Sequence, residues 1–113
     1  MLLSHLLSAA VLAAAAVEPS PGLTMRVPAE GLDLSRAADA AAFAGRVAEE
    51  SRRFCEVHAG TVTPGHVGDR RVCERAMAGE AVSALSSTQW RDFMRAGGAA
   101  ALRRAQRQDG RAG

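Results

Sequence analysis

The spacing of apolar residues along the chain predicts two amphipathic helices in its middle. From Arg36 to about Val57, apolar side chains recur every three or four residues, and opposite charges on the other face stand four residues apart. Ser35 directly precedes this stretch and is a residue type that caps helices. A similar stripe runs from about Arg70 to Leu85, with Asp69 at the position of its N-cap.

The segment between these helices, residues 58–68, contains three glycines and one proline and is predicted to be a loop. A loop of this length lets the two helices pack side by side in opposite directions. A third, short helix is predicted to begin near Ser86-Ser-Thr-Gln89, which has the spacing of a capping box. It would bury Trp90, Phe93 and Met94 and would be interrupted at Gly97-Gly98.

Both flanks of this helical region are predicted to be irregular. Residues 17–31 hold three prolines and two glycines, so they form an extended, proline-rich lead-in, within which Thr24–Val27 is a candidate short strand. Residues 97–113 are rich in arginine and poor in large apolar side chains, and they are predicted to be a flexible tail. The fold is therefore predicted to be mostly α, with an antiparallel helical hairpin and a third short helix in a domain that spans residues 32–96.

The first 16 residues resemble an export signal. They carry no Asp, Glu, Lys or Arg and are almost wholly apolar, yet they are shorter than the roughly 18 residues of a membrane-spanning helix. Ala14 and Ala16 are small residues placed for cleavage before Val17. We therefore expect a periplasmic or secreted protein without a transmembrane span after cleavage. Because no Lys or Arg precedes the apolar run, an uncleaved anchor is the alternative.

The composition indicates a small domain with a thin core. Residues 17–113 contain 20 large apolar side chains and 19 alanines, which bury little area. The formal charge is +2 and all 14 cationic residues are arginine. Residues 91–113 have six arginines and two aspartates, so the positive charge is concentrated at this end of the chain. A covalent cross-link would add stability that such a core lacks.

Cys55 and Cys73 are the two cysteines of the protein, and we predict that they form a disulfide bond. Cys55 lies near the end of the first predicted helix and Cys73 in the first turn of the second, so antiparallel packing brings them together. An exported chain folds in an oxidising compartment, where two cysteines usually pair. A bridge across this loop would contribute about 3 kcal/mol on a chain-entropy estimate.

Two other interpretations of the same residues stay open. Cys55, His58, His66 and Cys73 together supply the two sulfur and two nitrogen ligands of a tetrahedral zinc site, which makes a small metal-binding protein the alternative function. One cysteine could instead be a nucleophile with a histidine as its base. The disulfide interpretation requires no cofactor, and zinc is the cofactor of its rival.

Five short pieces of the sequence resemble the UrcA family of small exported bacterial proteins. They lie in order within residues 24–85 and include both cysteines, although Glu56 stands where the family often has glycine. The family has no established activity, so the resemblance implies export and a disulfide-linked helical domain and does not indicate any chemistry. The matching pieces are Gly31–Ser35, Arg46, Ser51–Cys55, Cys73–Ala76 and Glu80–Val82.

The remaining residues suggest binding rather than catalysis. The chain has no paired carboxylates in a catalytic arrangement, no phosphate-binding glycine loop and no GxSxG motif, so we predict a non-enzymatic protein that contacts an unknown protein or envelope component. Nucleic acid is not an expected partner, because no aromatic residue stands among the arginines of the tail. The candidates for contact with an anionic surface are Arg103, Arg104, Arg107 and Arg111.

Overall fold

A computed structural model describes residues 24–66 and 69–111 of the chain. The predicted signal peptide at residues 1–16 and residues 17–23 of the lead-in lie outside the described residues. The described part contains four α-helices and no strand, so the mostly α fold class is confirmed and Thr24–Val27 does not form a strand. The helices are α1 (Ala37–Val62), α2 (Arg70–Ser83), α3 (Ser87–Arg95) and α4 (Gly98–Arg111), and a short 3₁₀ helix (Pro64–His66) follows α1.

Helices α1 and α2 form the predicted antiparallel pair. Phe43 and Val47, in the first half of α1, share a buried cluster with Ala81 near the end of α2. Cys55, in the second half of α1, lies in a second cluster with Cys73 near the start of α2. The order of these contacts is reversed between the two helices, as antiparallel packing requires.

The boundaries of α1 differ from those predicted. Ser35 does not cap the helix, because its hydroxyl and its backbone N–H both donate to the carboxylate of Asp33. The helix instead begins after Arg36, which makes no side-chain capping bond. At its other end α1 continues to Val62, because burial of Ala59 beside Cys73 stabilises a turn that the sequence assigns to a loop.

The predicted caps of the next two helices are confirmed. The Asp69 carboxylate accepts a hydrogen bond of 3.0 Å from the backbone N–H of Arg71 at the start of α2. Ser86 and Gln89 form the reciprocal bonds of a capping box at the start of α3, each at 3.1 Å. Both signals depend on residues that are close in sequence, so they were readable without knowing the fold.

The core joins all four helices but contains few large side chains. Phe43 of α1 and Phe93 of α3 meet edge to face, with ring centroids 5.6 Å apart. Most of the other buried residues around this pair are alanines, whose small size lets the helix backbones approach closely. The lead-in packs partly buried apolar side chains against this cluster, as does Leu32 directly after it, and Arg46 donates to the carbonyl oxygen of Pro28.

The flexible tail predicted for residues 97–113 is wrong over most of its length. Residues 98–111 form α4, which packs along α1. Ala101 is buried and Leu102 partly buried in the core cluster that includes Phe43 of α1, and Gly98 is buried against the Phe93 ring of α3. The hydrophobic pattern of the sequence did not indicate this helix, because glycine and alanine pack closely but bury little apolar area. Residues 112 and 113 lie outside the described residues.

The prediction for the third helix is correct in position and partly wrong in burial. It ends at Arg95, before the predicted interruption at Gly97-Gly98. Phe93 is buried, with 1% of its surface exposed, whereas Trp90 is 45% and Met94 is 42% exposed. This helix has only nine residues and packs on a narrow core, so Phe93 points into the core while Trp90 and Met94 lie at the edge of the contact and stay partly exposed.

Candidate functional site

Cys55 and Cys73 form a disulfide bond, as predicted. The Cα atoms of the two residues are 5.9 Å apart, and the bond joins α1 to α2. The two cysteines are 1% and 0% exposed and contact Ala59 and Met77. The bond is therefore enclosed by the packing of the two helices, so a reductant reaches it when that packing opens.

The disulfide occupies the sulfur atoms that a zinc site would need. The ring of His58 contacts that of Phe54 at an angle of 44°, with ring centroids 4.6 Å apart, and His66 is exposed in the 3₁₀ helix. Across residues 24–66 and 69–111, no three His, Cys, Asp or Glu side chains are grouped so that they could hold a metal ion. Zinc ligation by thiolates and this disulfide are mutually exclusive, so the zinc hypothesis applies to a reduced form of the protein.

Two of the four tail arginines lie at a cleft between α2 and α4. Arg103 and Arg107 of α4 line it together with Arg71 and Arg75 of α2, and its volume is about 540 Å³. Arg104 is exposed on α4 outside the cleft lining, and Arg111 is the last residue of α4. The structure thus separates the four arginines that the sequence grouped together. It also brings to the cleft Arg71 and Arg75 of α2, which are distant from α4 in sequence.

Arg71 and Arg75 were missed because nothing local connects them with the end of the chain. Each pair of cleft arginines is spaced by four residues, which places its members on one helical face. That spacing was readable from the sequence. The proximity of the two faces was not, because it depends on both helices packing against α1.

The cleft has a positive charge balance. Its other lining residues are Asp69, Glu74 and Gln106, so four guanidinium groups face two carboxylates. The Asp69 carboxylate also accepts the capping bond at the start of α2. The ion pairs found in the described residues lie elsewhere, with N–O distances of 2.6–3.9 Å, and join Arg52, Arg53 and Arg70 to Glu49, Glu50 and Glu56.

A second exposed feature is the flank of α3. Trp90 and Met94 stand four residues apart and therefore lie on the same side of this helix, next to the buried Phe93. Large apolar side chains are scarce in this chain, yet these two remain at the surface. Aromatic residues and methionine are enriched at protein interfaces.

Comparisons with known proteins give no match for this chain. No family model matches it, no curated protein is similar enough to match, and no solved structure matches. The resemblance to the UrcA family therefore stays a prediction. None of the helices in residues 24–66 and 69–111 has the length and apolar character needed to cross a membrane.

Proposed function

We propose that this protein is exported and acts in the cell envelope as a non-enzymatic binding or accessory protein of the UrcA type. The disulfide between Cys55 and Cys73 carries the proposal. Stable disulfides are a property of proteins that fold in oxidising compartments, and small domains with little core use them most. The apolar leader at residues 1–16 would deliver the chain to such a compartment.

The binding role is supported by the surface of α3. Trp90 and Met94 keep nearly half of their surface exposed in a protein whose core is built mostly from alanine. Burying them in the native fold would have added stability, because each large apolar side chain contributes about 1.5–3 kcal/mol when fully buried. Their exposure is consistent with a contact to a partner protein.

Export and disulfide formation are tested by expressing the full chain in its bacterial host and fractionating the cells. We expect the protein in the envelope fraction with the leader cleaved before Val17. Its intact mass should be two hydrogens below that of the dithiol, and it should not react with an alkylating reagent until it is reduced and unfolded. A cytosolic protein that retains its leader would contradict the proposal. A protein with two reactive thiols and stoichiometric zinc would also contradict it, and would support the metal-binding alternative.

The binding role is tested by site-specific photo-crosslinking in the same cells. A photoreactive amino acid at Met94 should give a discrete adduct with an envelope component. The matched control carries the same group at Thr88, which is exposed on another side of α3. The absence of an adduct at Met94, or the same adducts at both positions, would be evidence against this surface as a binding site.

A further inference from the structure

The two arginine pairs that line the cleft between α2 and α4 have no partner of opposite charge in the described structure. Arg71 and Arg75 lie on one helix and Arg103 and Arg107 on the other, and all four are exposed. No carboxylate among the described side chains lies within ion-pairing distance of any of them. Like charges four residues apart destabilise a helix, and a bound anion would offset this repulsion in both helices.

The start of α2 adds to this positive potential. Helix N-termini carry a partial positive charge, and α2 begins at the edge of the cleft with Asp69 as its N-cap. The carboxylates of Asp69 and Glu74 offset part of this positive potential, which limits the negative charge of an anion that the cleft can bind. This combination favours a compact anion over a long polyanion.

Guanidinium groups identify the kind of anion. Their planar N–H forks match the oxygen geometry of phosphate and carboxylate, and arginine is the residue most used where phosphate is bound by two parallel hydrogen bonds. Among the described residues that line the cleft, none is an aromatic or large aliphatic residue that would hold an apolar or base-stacked group. A volume of about 540 Å³ lies within the range of small-molecule sites.

We propose that this cleft binds the phosphoryl group of a compact anion, with Arg103 and Arg107 on one side and Arg71 and Arg75 on the other. This cleft is a second binding surface, separate from the α3 flank at Trp90 and Met94, and the inference stands independently of the envelope role proposed above. A soluble phosphate compound and the headgroup of an anionic phospholipid share this chemistry. The experiment therefore has one arm for each source.

The test uses the full chain with its disulfide intact. In one arm, calorimetry measures binding of pyrophosphate at constant ionic strength. In the other, flotation measures binding to phosphatidylcholine vesicles with and without phosphatidylglycerol. The cleft variant Arg103→Gln/Arg107→Gln is compared with Arg91→Gln/Arg104→Gln, which removes the same charge from exposed positions outside the cleft.

We expect the cleft variant to weaken binding about tenfold, equivalent to about 1.4 kcal/mol, and the control to change it by less than about twofold. Selective loss with pyrophosphate assigns a soluble ligand, and selective loss with the anionic vesicles assigns a lipid headgroup. Equal weakening by the two variants would show general charge attraction and overturn the proposal, as would no binding of either probe by the unmodified protein. Thermal unfolding of both variants verifies that they fold.

The outcome is separable from that of the proposed function. Envelope localisation, leader cleavage and the oxidised mass are measured on the unmodified protein and do not depend on the cleft. If the protein is exported and disulfide-linked but binds neither pyrophosphate nor anionic vesicles, the proposed function stands and the phosphate-binding proposal fails. A cytosolic, reduced protein that binds pyrophosphate selectively would lose the proposed role and keep a phosphate site.

Discussion

Replacing Gly98 with alanine tests the contact that holds α4 against the rest of the core. A Cβ atom at this position would overlap the edge of the Phe93 ring, at its Cδ2, Cε2 and Cζ atoms. The ring has little room to move, because Phe93 is fully buried and packs edge to face on Phe43. Inserting a methyl group into a packed site of this kind costs about 1–3 kcal/mol.

Alanine favours a helix more than glycine does, but that gain is small at Gly98, which is the first residue of α4. The net result should be a loss of about 2 kcal/mol in the free energy of unfolding. For a domain of this size, such a loss lowers the melting temperature by roughly 8–16 °C. Denaturation in urea, followed by circular dichroism with the disulfide intact, measures the effect directly.

Gly79→Ala is the matched control for this substitution. Gly79 is exposed inside α2, and a Cβ atom there would meet no neighbouring atom within 4 Å. The same chemical change should therefore stabilise the protein by about 1 kcal/mol through helix propensity alone. The two substitutions are expected to have opposite signs.

The ring itself can be removed to complete the test. Phe93→Ala should cost about 3–5 kcal/mol by leaving a cavity. If the ring causes the overlap, Gly98→Ala should cost little in the Phe93→Ala background, so the two effects would not add. The reasoning is refuted if Gly98→Ala is as stabilising as Gly79→Ala, or if its cost is unchanged when the ring is absent.

Three further predictions concern the disulfide and two polar groups. Replacing Cys55 and Cys73 together with alanine should lower the free energy of unfolding by about 3 kcal/mol, and an unchanged urea midpoint would contradict this. Ser51→Ala should raise that free energy by about 1 kcal/mol, because the buried Ser51 hydroxyl has no hydrogen-bond partner among the described residues; a loss in the same assay would disprove it. Hydrogen bonds from Ser35 lower the pKa of Asp33 below 3.8, so the stability it provides is present above that pH and lost as the pH falls through the lowered pKa. Asp33→Asn should remove this contribution to the loss of stability at low pH, which is measured as the urea midpoint at a series of pH values.

The sequence predicted the parts of the fold that depend on neighbouring residues. The caps at Asp69 and Ser86 use bonds within three residues, and the periodic stripes locate α1 and α2 to within a few residues. The cap at Ser35 failed because Asp33, two residues earlier, takes the same hydroxyl. Local signals therefore work until two of them compete for one group.

The end of the chain could not be predicted in this way, because its structure depends on distant contacts. The apolar face of α4 consists mainly of alanine and glycine, and these small residues give only a weak signal in the hydrophobic pattern of a sequence. It becomes stable because α1 is also rich in alanine and accepts a close neighbour, and because Phe93 packs against Gly98. The cleft was missed for the same reason: it exists only once α4 lies beside α2.

The disulfide and the arginine cleft are coupled through the first turns of α2. Cys73 stands between Arg71 and Arg75 in sequence, with its side chain buried toward α1 while both arginines are exposed. The covalent bond therefore fixes the turn that presents one side of the cleft, whereas the packing of Phe93 and Ala101 fixes α4, which presents the other. Loss of the bond would free α2 in a core with few large side chains to hold it. Oxidation would then control the geometry of the cleft as well as the stability of the fold, so a protein that folds in an oxidising compartment would form the proposed anion-binding cleft there.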